Sequence, residues 1–504
     1  MAVKIILLIL FFGVMLGIGV YARKHATDVN GFVLGGRSVG PWLTAFAYGT
    51  SYFSAVVFVG YAGQFGYKYG LASTWIGIGN AVLGSLVAWV VLGRRTRIMS
   101  KHLGSMTMPD FFGKRYDSQS LRIAASVIAF IFLIPYTASV YNGLSYLFGM
   151  AFNVDFRICV VVMAVLTGVY VIIGGYMATA WNDLIQGIIM LFGIVAVIVA
   201  VLSGHGGFMA AVKELAQVPS SVMPGAYASF LGPDPANLFG VVILTSLGTW
   251  GLPQMIQKFY AIKDEKAVHT GTIISTLFAI VVSGGCYFLG GFSRISGVKE
   301  AVDGTVKYDT IIPTMLSSLP DILIGIVIVL VLSASMSTLS SLVLTSSSTL
   351  TLDFIKPLFV KKMNEKQQLG WMRVLLAGFI LISVVIALDP PAFIAQLMGI
   401  SWGALAGAFL APFLYGLYWK GVTRAAVWAS FICGVGITVA NMFFRFIASP
   451  INAGAIAMVA GLVIVPVVSL ISPKLKKETV EDVFHCLEEK VMVEQKLALP
   501  DEEE

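Results

Sequence analysis

The chain has 504 residues, of which 58% are hydrophobic and only 12% charged, with a formal net charge of +7 and a mean hydropathy of +0.88. A soluble domain carries roughly 25% charged residues, so this composition excludes an ordinary soluble globular protein. Apolar runs of about 20 residues recur from end to end, as membrane-crossing helices require, and the short alternating segments of an outer-membrane barrel are absent.

In chain order, the first apolar run, 3–21, has Lys4 before it and Arg23 and Lys24 directly after it. With no small-residue cleavage site, it reads as a retained span rather than a signal peptide. Further runs lie near 41–66, 70–93, 121–151, 156–176, 180–202, 236–258, 269–294, 321–346, 371–388, 392–418, 424–446 and 451–471, which makes about thirteen spans. The expectation is an all-α polytopic membrane protein whose transmembrane domain covers 1–472. The loops 203–235 and 295–320 have room only for short helices, and residues 473–504 read as a solvated cytoplasmic tail able to form one helix.

Basic residues orient this arrangement. With the N-terminus outside and the C-terminus inside, 25 of the 33 Lys and Arg fall in inside segments and 8 outside. The inside set takes in Arg23, Lys24 and Arg37, "GRRTRIMSKHLG", "GKRYDSQSLR", Lys258, Lys263, Lys266 and the tail lysines. The positive-inside rule demands such a bias, and an even number of spans destroys it. Placement in the cell membrane also accounts for the net charge without a nucleic acid. Cys159, Cys286, Cys433 and Cys486 lie far apart, which suits neither a disulfide framework nor a zinc site.

Two spans carry helix-breaking sequence. The second reads "LTAFAYGTSYFSAVVFVGYAG", and the seventh, "VVILTSLGTWGLPQMIQKF", brings Gly248, Gly251 and Pro253 close together. Backbone may depart from a helix at membrane depth only where it faces protein or a water-filled cavity. With the first span set aside, the broken spans are the first and sixth of the remainder. A five-span unit repeated in order returns inverted, and paired broken helices in corresponding positions mark a transporter's midplane site. The repeats are expected at 41–202 and 236–418.

The ninth span ends in "SASMSTLSSLVLTSSSTLT", Ser333 to Thr351, in which twelve of nineteen residues are Ser or Thr and none is charged. At about 100° per residue, Ala334, Ser337, Thr338, Ser341 and Thr345 form one stripe. Uncharged oxygens on one face, joined by carbonyls freed at a helix break, suit a monovalent cation that must be released each cycle. They do so without the cost of burying a carboxylate in the bilayer. Alternatively, such hydroxyls bond to the carbonyl one turn back or to neighbouring helices.

Six segments resemble the sodium/solute symporter family, whose members carry proline, pantothenate, sugars, iodide and sialic acid: "FVLGGRSVGPWLTAF", "TMPDFFGKRY", "IGGYMATAWNDLIQGIIM", "GLPQMIQKFYAIKDEKA", "SASMSTLSSLVLTSSS" and "FLAPFLYGLYWKGVTRAA". The resemblance implies a LeuT-type core of two inverted five-helix repeats with one extra N-terminal helix. It implies a sodium site from the carbonyls of Thr50, Phe53 and Ala334 and the hydroxyls of Ser337 and Thr338. A second sodium site, found in some members, falls here on Asp183, Ser340 and Ser341. Proline carriers place an aspartate in the first broken helix where this chain has Tyr52, and Thr245 and Thr249 replace their aromatic pair. "YKYGL" and "KDEKAVHTG" look closer to the pantothenate carriers.

The expected activity is therefore sodium-coupled symport of a small organic solute, carboxylate-bearing and pantothenate- or monocarboxylate-like, with proline or another amino acid as the alternative. Candidate solute contacts are Ser51, Tyr52, Ser54, Tyr136, Thr249, Trp250, Gln254 and Gln396. The expected partners are the solute, sodium and the bilayer, with no partner protein required. An ion channel needs charged or carbonyl-lined rings that are not evident, the tail is too short for the catalytic domain of a membrane sensor, and no His or carboxylate cluster suggests an enzyme.

Overall fold

The computed structural model of the protein describes residues 2–152, 154–297, 306–389 and 393–498. Among these residues the regular structure is helical throughout, with one isolated parallel bridge between Val39 and Ile262. The principal helices are α1 (Ala2–Ala22), α2 (Pro41–Tyr52), α3 (56–69), α4 (74–102), α5 (Gln119–Phe152), α6 (Phe156–Gly204), α7 (Pro235–Gly248) and α8 (Pro253–Ala261). They continue with α9 (Glu265–Gly290), α10 (Asp321–Leu358), α11 (Glu365–Leu388), α12 (Ile394–Tyr418), α13 (Arg424–Phe444), α14 (Pro450–Ile471) and α15 (Lys477–Ala498).

Among the described residues, eleven stretches are long and apolar enough to span a membrane, fewer than the thirteen expected. Two local features account for the difference. The span at 41–66 divides at Phe53, which leaves α2 with 12 residues. The fifth and sixth expected spans meet within α6 at non-helical backbone at Gly175 (φ 56°, ψ −151°), and the apolar stretch Phe156–Val169 is shorter than a full span. A Cβ at that glycine would meet the Phe32 ring at 2.8 Å, so both the backbone angle and the packing require glycine.

Helix starts follow from local chemistry. Pro41, Pro235, Pro253 and Pro450 stand in first turns, where the missing N–H costs nothing. The side chains of Thr107, Asp234, Asp264 and Thr423 cap exposed N–H groups, and Asn364 with Gln367 forms a reciprocal capping box. Helix α10 lies at the centre, packed against α1, α2, α5, α6 and α11, while α12, α13 and α14 form a group beside α5. Ile9, Phe192, Phe239, Leu381, Phe443 and Ile471 are exposed on the outer faces, as a lipid-facing surface requires.

Two family-like segments lock together at the basic end. Arg122 bridges Asp110 (3.2 Å) and Asp353 (2.8 Å), and Thr107 donates to Asp353 at 2.5 Å. Arg115 donates to the carbonyls of Gly416 and Trp419, and Tyr116 to that of Pro412, which ties "TMPDFFGKRY" to "FLAPFLYGLYWKG". Helix α15 docks at this same end through a His102 contact to the Asp482 carbonyl and a Lys420–Glu488 pair, with Phe484 only 4% exposed. Up to Glu488 the tail is a helix that rests on the bundle through the apolar side chains of Val483 and Phe484. Lys4 sits at the opposite end, donating to Ala151 O and paired with Asp321 at 3.0 Å.

Candidate functional site

Both broken helices are broken in the same way. Helix α2 ends at Phe53 (φ −87°, ψ 113°), and α7 gives way to α8 through Leu252 (φ −87°, ψ 122°). Pro253 disfavours helical geometry at Leu252. At the first break, Ser54 Oγ accepts the Val56 N–H at 3.1 Å, and Ser335 Oγ on α10 accepts the Ala55 N–H at 3.2 Å, so hydroxyls restart the helix. A helix end leaves its last carbonyls without intrahelical partners.

Those carbonyls converge on α10. Thr338 Oγ1 lies 3.1 Å from Thr50 O, 3.2 Å from Phe53 O and 3.1 Å from its own helix's Ala334 O. One hydroxyl hydrogen can satisfy only one of three acceptors. Ser337 Oγ is buried beside them, with the Asp183 carboxylate as its polar neighbour. The set is rich in oxygen, poor in hydrogen and free of formal charge, which is the donor set a hard monovalent cation needs. All five residues expected at the sodium site belong to these two neighbouring elements, and Thr338 directly joins Thr50, Phe53 and Ala334.

The expected stripe on α10 also engages both broken helices. Ser341 contacts Ser51 Oγ at 2.9 Å on α2 and accepts from Lys258 Nζ at 3.0 Å on α8, while Thr345 donates to Gln257 Oε1 at 2.7 Å. Off the stripe the hydroxyls bond back to their own helix: Ser340 to Ser337 O, Ser347 and Ser348 to Leu344 O, and Thr351 to Ser347 O. Of the second-site trio, Asp183 and Ser341 therefore share a neighbourhood and Ser340 turns to the backbone. Lys258 Nζ, 3.9 Å from Asp183 Oδ2, lies with Asp183 and Ser341. Lys258, counted from the sequence as a basic residue of an inside loop, is instead only 2% exposed within the protein. Every residue of α8 is buried.

The candidate solute contacts divide. Ser51 also donates to Ala47 O, and Ser54 caps the helix restart, so both serve the break itself. Thr249 donates to Ser246 O and approaches Gly84 O at 3.1 Å, and Trp250 Nε1 donates to Leu83 O at 2.9 Å, which fastens the second break to α4. Gln396 lines a lateral cavity of about 620 Å³ among α5, α12, α13 and α14, away from the others. Tyr52 ends α2, and its side chain lies outside the described residues.

Tyr136 does reach a central cluster. Its ring meets Trp402 edge-on with centroids 5.8 Å apart, beside Tyr61 of α3. Trp402 in turn abuts the second break, where a Cβ on Gly248 would lie 2.5 Å from its ring. The Tyr61 hydroxyl and the side-chain amide of Gln254 are buried with no hydrogen-bond partner among the described residues, and the Tyr136 hydroxyl has Trp402 as its polar neighbour. Sequence reasoning missed Tyr61 and Trp402, because aromatic residues within membrane spans usually pack.

Paired helix breaks facing an oxygen-rich central helix, with aromatic side chains between the breaks, define a secondary transporter. The chain matches the sodium:solute symporter family over residues 32–434, and it belongs to that family. Its activity class is sodium-coupled symport, with sodium as the coupling ion. Sodium/proline symporters of Staphylococcus aureus, among them those of strains JH9 and NCTC 8325, are 28% identical to it over 94% of this chain and 93% of theirs. A sodium-coupled sialic acid symporter in a substrate-bound outward-open state superposes with a TM-score of 0.76 at 16% identity, covering 94% of this chain and 99% of that one. Mhp1, a nucleobase-cation-symport-1 family transporter in a closed conformation, gives 0.55 at 12% identity over 90% and 97% of the two chains. These likenesses establish the LeuT-like fold.

Proposed function

We propose that this protein imports a small, carboxylate-bearing organic solute together with sodium across the cell membrane, its N-terminus outside and its C-terminal helix in the cytoplasm. The observation that carries the cation site is the Thr338 hydroxyl held against three carbonyls, two of them at the first helix break. Sodium bound by Thr50 O, Phe53 O, Ala334 O, Ser337 Oγ and Thr338 Oγ1 would tie α2 to α10 and favour the outward-open state. The solute then settles between the breaks, against Tyr61, Tyr136 and Trp402, with the Gln254 amide as a polar partner. A carboxylate can be received by half-helix N-termini without an arginine.

The matching backbone at Phe53 and Leu252 supports inverted repeats at 41–202 and 236–418. The orientation is supported by the placement of Lys4 and α15 at opposite ends, with most basic residues at the α15 end. Each sodium ion entering at about 100 mV gains roughly 2.3 kcal/mol, and a tenfold gradient adds about 1.4 kcal/mol. One ion per cycle thus supports accumulation of several hundredfold.

The staphylococcal relatives favour proline as the solute, whereas Tyr52 in "GTSYFS" favours pantothenate or a short monocarboxylate. Uptake of labelled proline, pantothenate and pyruvate into proteoliposomes, with and without an inward sodium gradient, tests the proposal. Gradient-dependent, saturable uptake of one of these is expected; equal uptake without sodium would overturn the coupling.

A further inference from the structure

The most unusual buried group is the Lys258 ammonium, enclosed in α8 one turn beyond the second helix break. A buried cation must be paired and hydrogen-bonded to persist. Lys258 Nζ donates to Ser341 Oγ at 3.0 Å, stands 3.9 Å from Asp183 Oδ2 and lies 5.1 Å from the centre of the Tyr176 ring. These are an uncharged oxygen, a carboxylate and an aromatic face, all of which attract a monovalent cation. Asp183 is fully buried, so its carboxylate depends on the few polar groups that face it. The Lys258 ammonium and the Ser337 hydroxyl are its polar neighbours.

We propose that the Lys258 ammonium is a built-in cation that fills a second cation position beside Asp183 and Ser341, so that this carrier takes up one sodium ion per cycle rather than two. The inference rests on the sodium-coupled reading of the Thr338 site. A sodium ion drawn to Asp183 and Ser341 would meet a positive charge already there. The pair leaves little net charge in the protein interior, and the tether prevents its cation from being released. Ser341 also contacts Ser51 on α2. The ammonium therefore connects both broken helices to α10 through one hydroxyl, permanently supplying a link that a mobile ion would supply only when bound.

Equilibrium binding of radioactive sodium to the purified, detergent-solubilised protein tests this without knowledge of the solute. The wild type is expected to bind one sodium per chain. Lys258→Met removes the charge at similar length, leaves Asp183 without its counter-ion, and is expected to bind two. The Lys258→Met/Asp183→Asn double variant is expected to return to one. Asp183→Asn alone is expected to keep one, which preserves the test if Lys258→Met does not fold. Two sodium ions on the wild type, loss of a bound ion in Asp183→Asn, or a folded Lys258→Met that binds only one would each overturn the internal-cation proposal. No sodium bound to the wild type would instead overturn the Thr338 site on which it rests.

Discussion

Thr338→Val removes one oxygen and keeps the shape of the side chain, so it isolates what the hydroxyl does. In the structure that oxygen lies 3.1 to 3.2 Å from three carbonyls, two of them on the unwound end of α2. In the proposed sodium-bound state it would be one of five ligand oxygens. A hydrogen bond or polar contact to a charged group contributes about 1.5–3 kcal/mol. Its loss should weaken sodium binding about 10- to 150-fold, at 1.4 kcal/mol per factor of ten. The assay is the sodium concentration giving half-maximal solute uptake in proteoliposomes, paired with direct sodium binding in detergent. Thr338→Ser retains the oxygen and should stay close to wild type. Ser335→Ala, which removes the acceptor of the Ala55 N–H, should lower stability more than sodium affinity. If Thr338→Val keeps its sodium dependence within about twofold of wild type while folding normally, the reasoning fails, because a difference that small is worth well under 1 kcal/mol.

Three other outcomes follow from the geometry. Tyr136→Phe removes a buried hydroxyl beside Trp402, so solute affinity should fall at least about tenfold; unchanged uptake would remove Tyr136 from the solute site. Gly66→Ala places a Cβ 2.0 Å from the Gly290 carbonyl oxygen, where α3 and α9 meet backbone to backbone, and should cost about 1–3 kcal/mol by overpacking, read as a fall in melting temperature. Asp309, in the segment before α10, accepts the Ile394 N–H at the start of α12, and burial lifts its carboxyl to about 6. The folded state therefore holds this proton more tightly than the unfolded chain does. The associated stability is complete below about pH 4 and is lost as pH rises through about 6. Thermal melts across that window should show a downward slope that Asp309→Asn flattens.

Much of this architecture is written in residues whose meaning is local. Pro253 and the glycines before it announce the second break, and the 100° stripe of Ala334, Ser337, Thr338, Ser341 and Thr345 predicts which face of α10 meets the broken helices. The first break is legible only in part. No proline marks Phe53, and the helix restart after it is capped by Ser54 within the break and Ser335 on α10. Tyr61 and Trp402 are illegible because their role depends on long-range packing between α3, α5 and α12. Lys258 misled for a related reason: in a sequence, a lysine after a broken span resembles a headgroup anchor until Asp183, 75 positions earlier, is placed beside it. Thr249 and Trp250 stand next to a break, yet helical rotation directs them to the α4 backbone. In the tail, the contact made by Val483 and Phe484 is not legible, because two apolar residues gain their value only from the surface they meet.

The central claim is that a neutral cluster of oxygens, split between an unwound helix end and a serine-rich helix, binds sodium. High-resolution density maps of the protein in sodium buffer and in choline buffer test it most directly. The account predicts a discrete density amid Thr50 O, Phe53 O, Ala334 O, Ser337 Oγ and Thr338 Oγ1 that disappears in choline. A sodium-dependent density elsewhere, with none among those five oxygens, would contradict it.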